Sequence, residues 1–163
     1  MGRKKKNKAP SDPDVKVVCR NRRARRDYRI ESTMEAGMVL IGTEVKSLRQ
    51  GKVDLADSYA AFIDGELFLT GTHIAPYDKA SHFNHDPARA RKLLLHKHVL
   101  NRLGIKVRER GFTLIPLEIY FRRGMAKVLL GLAKGRKQYD NRQEILRDEE
   151  RREMRESARN WKA

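Results

Sequence analysis

Two histidine pairs, His82 with His85 and His96 with His98, stand close enough in sequence to share a metal ion. Neither has a cysteine or a suitably spaced carboxylate beside it to complete a ligand shell, so the residue types predict ordinary histidines and no metal site. Gly131-Leu132-Ala133-Lys134-Gly135-Arg136-Lys137 looks at first like a phosphate loop. It lacks the spacing, and the Ser or Thr after Lys, that a nucleotide-bound magnesium needs. Cys19 is the single cysteine, which rules out an internal disulfide and fits a reducing compartment. No nucleophile, acid–base pair or ligand set converges, and the expectation is a protein with neither catalytic residues nor a cofactor.

Charge carries the stronger signal. Lys and Arg number 37 against 21 Asp and Glu, a net charge of +16, which points to a polyanionic partner. The excess is uneven: net +9 over residues 1–30, +4 over 31–130 and +3 over 131–163. No basic amphipathic helix or lipidation motif accompanies it, and the longest apolar run, near residues 128–133, is far too short to cross a bilayer. Nucleic acid is therefore favoured over a membrane surface, and a cytoplasmic protein is expected. Arg20-Asn21-Arg22-Arg23-Ala24-Arg25-Arg26 sets guanidinium groups around an amide able to donate and accept at a base edge or sugar. In the 131–137 run, Gly131 and Gly135 are expected to break the strand so that Lys134, Arg136 and Lys137 reach phosphates. Tyr139 beyond them is placed to stack on a base. Glu35 is a turn residue by default, with a hydrogen bond to RNA amino or 2′-hydroxyl groups as the functional alternative.

These residues need a scaffold, and the pattern predicts one domain that is mainly β with peripheral helices. Residues 1–14 read as a disordered basic arm, 15–132 as the folded domain and 133–163 as a basic tail that becomes helical against a partner. Three hairpins are expected. The clearest crosses Asp64-Gly65; a second crosses Glu35-Ala36-Gly37 and joins residues 28–34 to 39–45; a third crosses Arg122-Arg123-Gly124 and joins 112–121 to 125–132. Six antiparallel strands in so short a chain lose their open edges most economically by closing into a small barrel. Residues 88–103 read as a helix, with Asp86-Pro87 at its start and Gly104 as its stop. On that helix Leu93, Leu95, Val99, Leu100 and Leu103 share one sector, and Leu94 faces away as an exposed contact candidate.

Several segments together resemble the bacterial tmRNA-binding small protein B family, also called the SsrA-binding proteins. They are Asn21-Arg22-Arg23-Ala24-Arg25, Gly42-Thr43-Glu44-Val45-Lys46-Ser47-Leu48-Arg49 with Gly51-Lys52, Arg91-Lys92-Leu93-Leu94-Leu95, and Ala133-Lys134-Gly135-Arg136-Lys137-Gln138-Tyr139-Asp140. The resemblance implies a six-stranded barrel related to the oligonucleotide-binding fold. It also implies binding to the tRNA-like domain of tmRNA and its delivery to stalled ribosomes, with no enzymatic activity. Implied RNA contacts are Asn21, Glu35, Lys92 and Leu94, beside Arg20, Arg22, Arg23 and Arg25. Lys134, Arg136, Lys137, Tyr139, Asp140 and Arg142 would enter the decoding site and mRNA channel. Implied partners are tmRNA, small-subunit rRNA, and elongation factor Tu on alanyl-tmRNA, with the free protein a monomer. The competing expectation is a general single-stranded RNA binder or RNA chaperone.

Overall fold

The structure is a computed structural model that describes residues 12–80, 82–135, 147, 149–152 and 154 of the chain. In chain order its elements are β1 (Val15–Arg20), α1 (Ala24–Asp27), β2 (Tyr28–Met38), α2 (Gly42–Arg49), β3 (Val53–Asp54), β4 (Tyr59–Ile63), β5 (Glu66–Thr70), β6 (His73–Ile74), β7 (Arg91–Leu94), α3 (Lys97–Arg110), β8 (Thr113–Arg122) and β9 (Met125–Gly135). Residues 147, 149–152 and 154 are also helical. The protein is mainly β with few helices, as the alternation predicts. Among the described residues, no helix is long and apolar enough to cross a membrane.

Seven strands share one sheet in the order β1-β8-β4-β5-β7-β2-β9, with β8 also paired to β9; β3 and β6 form a separate two-stranded sheet. β1 lies along the end of β8, with Val15 opposite Arg122, while β4 meets its start, with Ala60 opposite Leu114. Inward residues of these strands build the core, where Leu67, Leu69, Ile119, Val128, Leu130 and Leu132 are fully buried. Each such side chain stabilises the fold by about 1.5–3 kcal/mol relative to exposure.

Two of the expected hairpins are present. Asp64 and Gly65 both take positive φ, 50° and 79°, and Arg123 and Gly124 do the same at 51° and 76°, which matches the two-residue turn that right-twisted strands require.

The hairpin expected at Glu35-Ala36-Gly37 is not formed. Those residues lie inside β2, paired with Leu129, Val128 and Lys127 of β9, and the stretch expected to return as a strand is instead helix α2. Gly37 makes no turn; it pairs with Leu94 of the neighbouring β7, and a Cβ there would stand at an ordinary contact distance of 3.4 Å from Leu94 Cβ. Helix α2 begins where Ile41 N–H donates to Glu44 Oε2 at 2.9 Å, satisfying one of its unpaired donors.

The helix expected over residues 88–103 is also displaced. Residues 91–94 form β7, with Arg91 and Leu93 buried and Lys92 and Leu94 outward, and α3 starts only at Lys97. It continues through Gly104, which is buried and lies against Phe62, and ends at Gly111 with φ 65°. Packing thus keeps a glycine inside a helix despite its low propensity. Gly131 and Gly135 do not break β9 either. Gly131 pairs with Thr33 and Ile115, and a Cβ there would lie 3.2 Å from Leu117 Cδ1 and 3.3 Å from Ile30. It is a glycine of close packing, inside a second small core of Ala24, Ile115, Leu117 and Ala133.

Candidate nucleic-acid interface

Glu35 sits at the centre of a charged cluster on the outer face of β2. Its carboxylate accepts from the Tyr120 hydroxyl, from Arg122 Nη1 at 3.0 Å, and from Lys127 Nζ at 3.3 Å. Burial alone would raise its pKa, but the Tyr120 hydrogen bond, together with Lys127 and Arg122, outweighs burial and holds the carboxyl below its ordinary value. Tyr120 is driven the other way, first by burial and then by the adjoining carboxylate. Glu35 is therefore ionised at neutral pH and fixes two cations, Arg122 and Lys127, at the surface beside it.

Beside this cluster lies a shallow hollow lined by Met34, Glu35, Gly37, Leu94, His96 and Lys127. Leu94 is 53% exposed, as expected, although it stands on a strand where period-two alternation turns it outward. Met125, Val39 and Ile41 are likewise exposed large apolar residues. Lys92, paired with Glu66 Oε1 at 2.6 Å, is the neighbouring outward residue of β7. The structure thus brings Glu35 and Leu94 to one hollow and adds Lys127, Tyr120 and Arg122, which sequence reasoning missed. A signal for them was present. A two-residue turn at Arg123-Gly124 sets Tyr120 opposite Lys127 in register, so the third hairpin already placed a hydroxyl beside an ammonium.

Asn21 lies elsewhere, and its amide is engaged within the protein. Nδ2 donates to Pro116 O at 3.1 Å and Leu55 O at 3.5 Å, and Oδ1 accepts from Ala24 N–H at 3.2 Å. It clamps the chain to β8 and starts α1, leaving Arg22, Arg23 and Arg25 exposed around the bend. Arg20 is paired with Glu118 at 3.2 Å. At the other end of β9, Lys134 rests 4.6 Å from the Phe112 ring centre, a cation–π contact at the end of the strand. Arg136, Lys137, Tyr139, Asp140 and Arg142 lie outside the described residues.

The described residues contain no group of three or more His, Cys, Asp or Glu arranged to hold a metal. His85, a candidate ligand by sequence, is buried, with Nδ1 2.9 Å from Thr43 Oγ1 and Nε2 2.9 Å from Ile74 O. His96 and His98 stack on one another at 5.8 Å. What the surface offers is charge, apolar contact and fixed hydrogen-bonding groups, the ingredients of RNA recognition.

A family model described as SmpB protein matches residues 18–160. The SsrA-binding protein of Syntrophobacter fumaroxidans is 53% identical over 149 residues, covering 91% of this chain and 92% of its own. That of Staphylococcus carnosus is 48% identical over 151 residues, covering 93% and 94%. A chain of a solved structure described as "tmRNA-SmpB: a journey to the center of the bacterial ribosome" is 61% identical, superposes with a TM-score of 0.62, and covers 77% of this chain and 86% of that one. The chain belongs to the SmpB protein family.

Proposed function

We propose that this protein binds the tRNA-like domain of tmRNA and delivers it to stalled ribosomes for trans-translation, as a binding protein that catalyses no step itself. The observation that carries this is the Glu35–Leu94 hollow, lined by an ionised carboxylate, Lys127 and an exposed leucine, with Arg122 paired to the same carboxylate. Arg122 and Lys127 meet phosphates, Glu35 accepts from amino or 2′-hydroxyl groups, and Leu94 packs against an unstacked base. Strands β8, β4, β5, β7, β2 and β9 pair in a cycle, which we read as a small closed barrel related to the oligonucleotide-binding fold. The tail from Lys134 through Arg136, Lys137, Tyr139, Asp140 and Arg142 then probes the empty decoding site and mRNA channel. Elongation factor Tu on alanyl-tmRNA is the further partner, and the protein acts as a cytoplasmic monomer.

Leu94→Asp places a carboxylate where RNA phosphates approach and is expected to weaken tRNA-like-domain binding about tenfold or more, or ~1.4 kcal/mol. Its melting temperature should change little, because the Leu94 side chain is more than half exposed. Filter binding with bulk tRNA as competitor, alongside thermal unfolding, checks both. Equal competition by tRNA would favour a general single-stranded RNA binder instead.

A further inference from the structure

Helix α2 buries Glu44, Ser47 and Leu48 and leaves Arg49 and Gln50 exposed at its end. A cation in the last turn of a helix is favourable on its own account, because it faces the unpaired carbonyls there. Arg49 has a more particular setting. Its guanidinium carbon stands 5.6 Å from the centre of the Phe121 ring on β8, a cation–π contact. Lys16, Val17 and Val18 of β1, with Arg49, Gln50 and Phe121, line a hollow of about 420 Å³ at this point, a size that suits small ligands. Adjacent residues of a regular strand face opposite ways, yet Val17 and Val18 both reach the hollow. The cause is a bulge in β1, where Val17 pairs with Tyr120 and Cys19 with Ile119, leaving Val18 as the extra residue.

The charge in this hollow is of one sign. Lys16 and Arg49 line it and no Asp or Glu does, and neither cation has an ion pair among the described residues. Asp12 and Asp14, the acids that precede Lys16, are taken by Arg122 and Arg123. The Gln50 side-chain amide likewise has no hydrogen bond among the described residues. A planar cation, apolar walls, a second cation and an open amide match the parts of an unpaired nucleotide, namely its base faces, its phosphate and its base edge. The hollow is also continuous with the proposed RNA face. Phe121 and Gly124 belong to it and to a second hollow lined by Leu94, Met125 and Lys127. That one in turn shares Gly37, Leu94 and Lys127 with the Glu35–Leu94 hollow.

We propose that the hollow between β1 and the end of α2 takes an unpaired base of the same RNA that packs on Leu94. The base stacks on the Arg49 guanidinium, the Gln50 amide bonds its edge, and Lys16 meets its phosphate. The inference rests on the tRNA-like-domain reading above and extends it from one hollow to a path along the surface.

The test measures affinity of full-length variants for tRNA-like-domain RNA across a salt series, with small ribosomal subunits as a second arm and thermal unfolding alongside. Arg49→Ala is expected to weaken binding of the tRNA-like domain about tenfold. Arg49→Lys keeps the charge at the helix end but not the planar face, and should stay about threefold or more weaker than the unsubstituted protein. Lys16→Ala should lower the salt slope by about one. Val17→Trp fills the hollow with Arg49 still in place, at a strand position that is 38% exposed. It should weaken binding by a factor similar to Arg49→Ala without lowering the melting temperature, and it decides the matter if Arg49→Ala fails to fold. Full affinity in Arg49→Lys would overturn the proposal, since charge alone would then suffice, and so would full affinity in Val17→Trp or an unchanged salt slope in Lys16→Ala. Loss confined to the ribosomal-subunit arm would also overturn it and give the hollow to ribosomal RNA. Failure of the unsubstituted protein to bind the tRNA-like domain would instead overturn the functional reading.

Discussion

Replacing Arg91 with Met is expected to destabilise the protein by about 3–5 kcal/mol, because it removes one half of a fully buried ion pair. Arg91 and Glu44 are both 0% exposed, and Arg91 Nε donates to Glu44 Oε1 at 2.9 Å. The guanidinium also donates to the carbonyls of Thr72 at 2.6 Å and Pro87 at 2.9 Å, which methionine would leave buried without donors. Thermal unfolding should show a fall on the order of 10 °C or more. Glu44→Ala should be of similar size, since Arg91 would then remain as a buried cation without its counterion. The Glu44→Ala, Arg91→Met double variant should cost less than the sum of the singles, because the two act as one unit. An additive double variant would show that the pair is not coupled.

The same network predicts a pH dependence. Burial pushes the Glu44 carboxyl up, but hydrogen bonds from Arg89, the Ile41 N–H and Arg91 outweigh it and hold the pKa below its ordinary value of 4.5. A carboxyl depressed in the folded state adds stability that is fully present above the unfolded pKa and is lost as pH falls through the folded one. Melting temperature should therefore drop on acidification below about pH 4.5, and Glu44→Gln should blunt that drop. The network also has a functional consequence. It ties α2 to β7 in the register that buries Arg91 and Leu93 and turns Lys92 and Leu94 outward.

Ending the chain after Gly135 is expected to abolish peptide tagging on stalled ribosomes while leaving affinity for the tRNA-like domain unchanged. The cut point follows from the fold. Leu132 and Ala133 are 0% exposed, and Ala133 pairs with both Ile30 of β2 and Thr113 of β8. A chain ending at Gly131, where the sequence suggests a break, would remove core and lose both activities through unfolding. Ending after Gly135 keeps β9 whole, with Lys134 still over Phe112. Tagging on ribosomes stalled without a stop codon, measured beside RNA affinity and melting temperature, checks the separation. Equal loss of both activities in a folded truncation would refute it.

What the sequence made legible was local. The turns at Asp64-Gly65 and Arg123-Gly124 are written in residue types, because few residues accept positive φ in succession. β2 was obscured because Glu35-Ala36-Gly37 has the composition of a turn. The strand partner of Glu35 is Leu129 of the distant β9, and its side-chain partners, Tyr120 and Arg122, are 85 and 87 residues away. β7 was obscured for a similar reason. A short run with Leu93, Leu94 and Leu95 satisfies helical and strand patterns alike. Arg91's counterion, 47 residues earlier, supplies a constraint no window contains. The exposure of Leu94 was thus anticipated from the wrong element. Asn21 shows the converse. Its residue type suggested a base edge, yet the carbonyls of Pro116 and Leu55 take its amide hydrogens within the fold.

The most direct measurement of the central claim is sequencing of the RNA that co-purifies with the full-length protein and with its Leu94→Asp variant. Selective recognition predicts strong enrichment of tmRNA over tRNA with the unsubstituted protein, and loss of that enrichment in a variant that melts at the same temperature. RNA recovered in proportion to its cellular abundance, or an unchanged profile from Leu94→Asp, would contradict it.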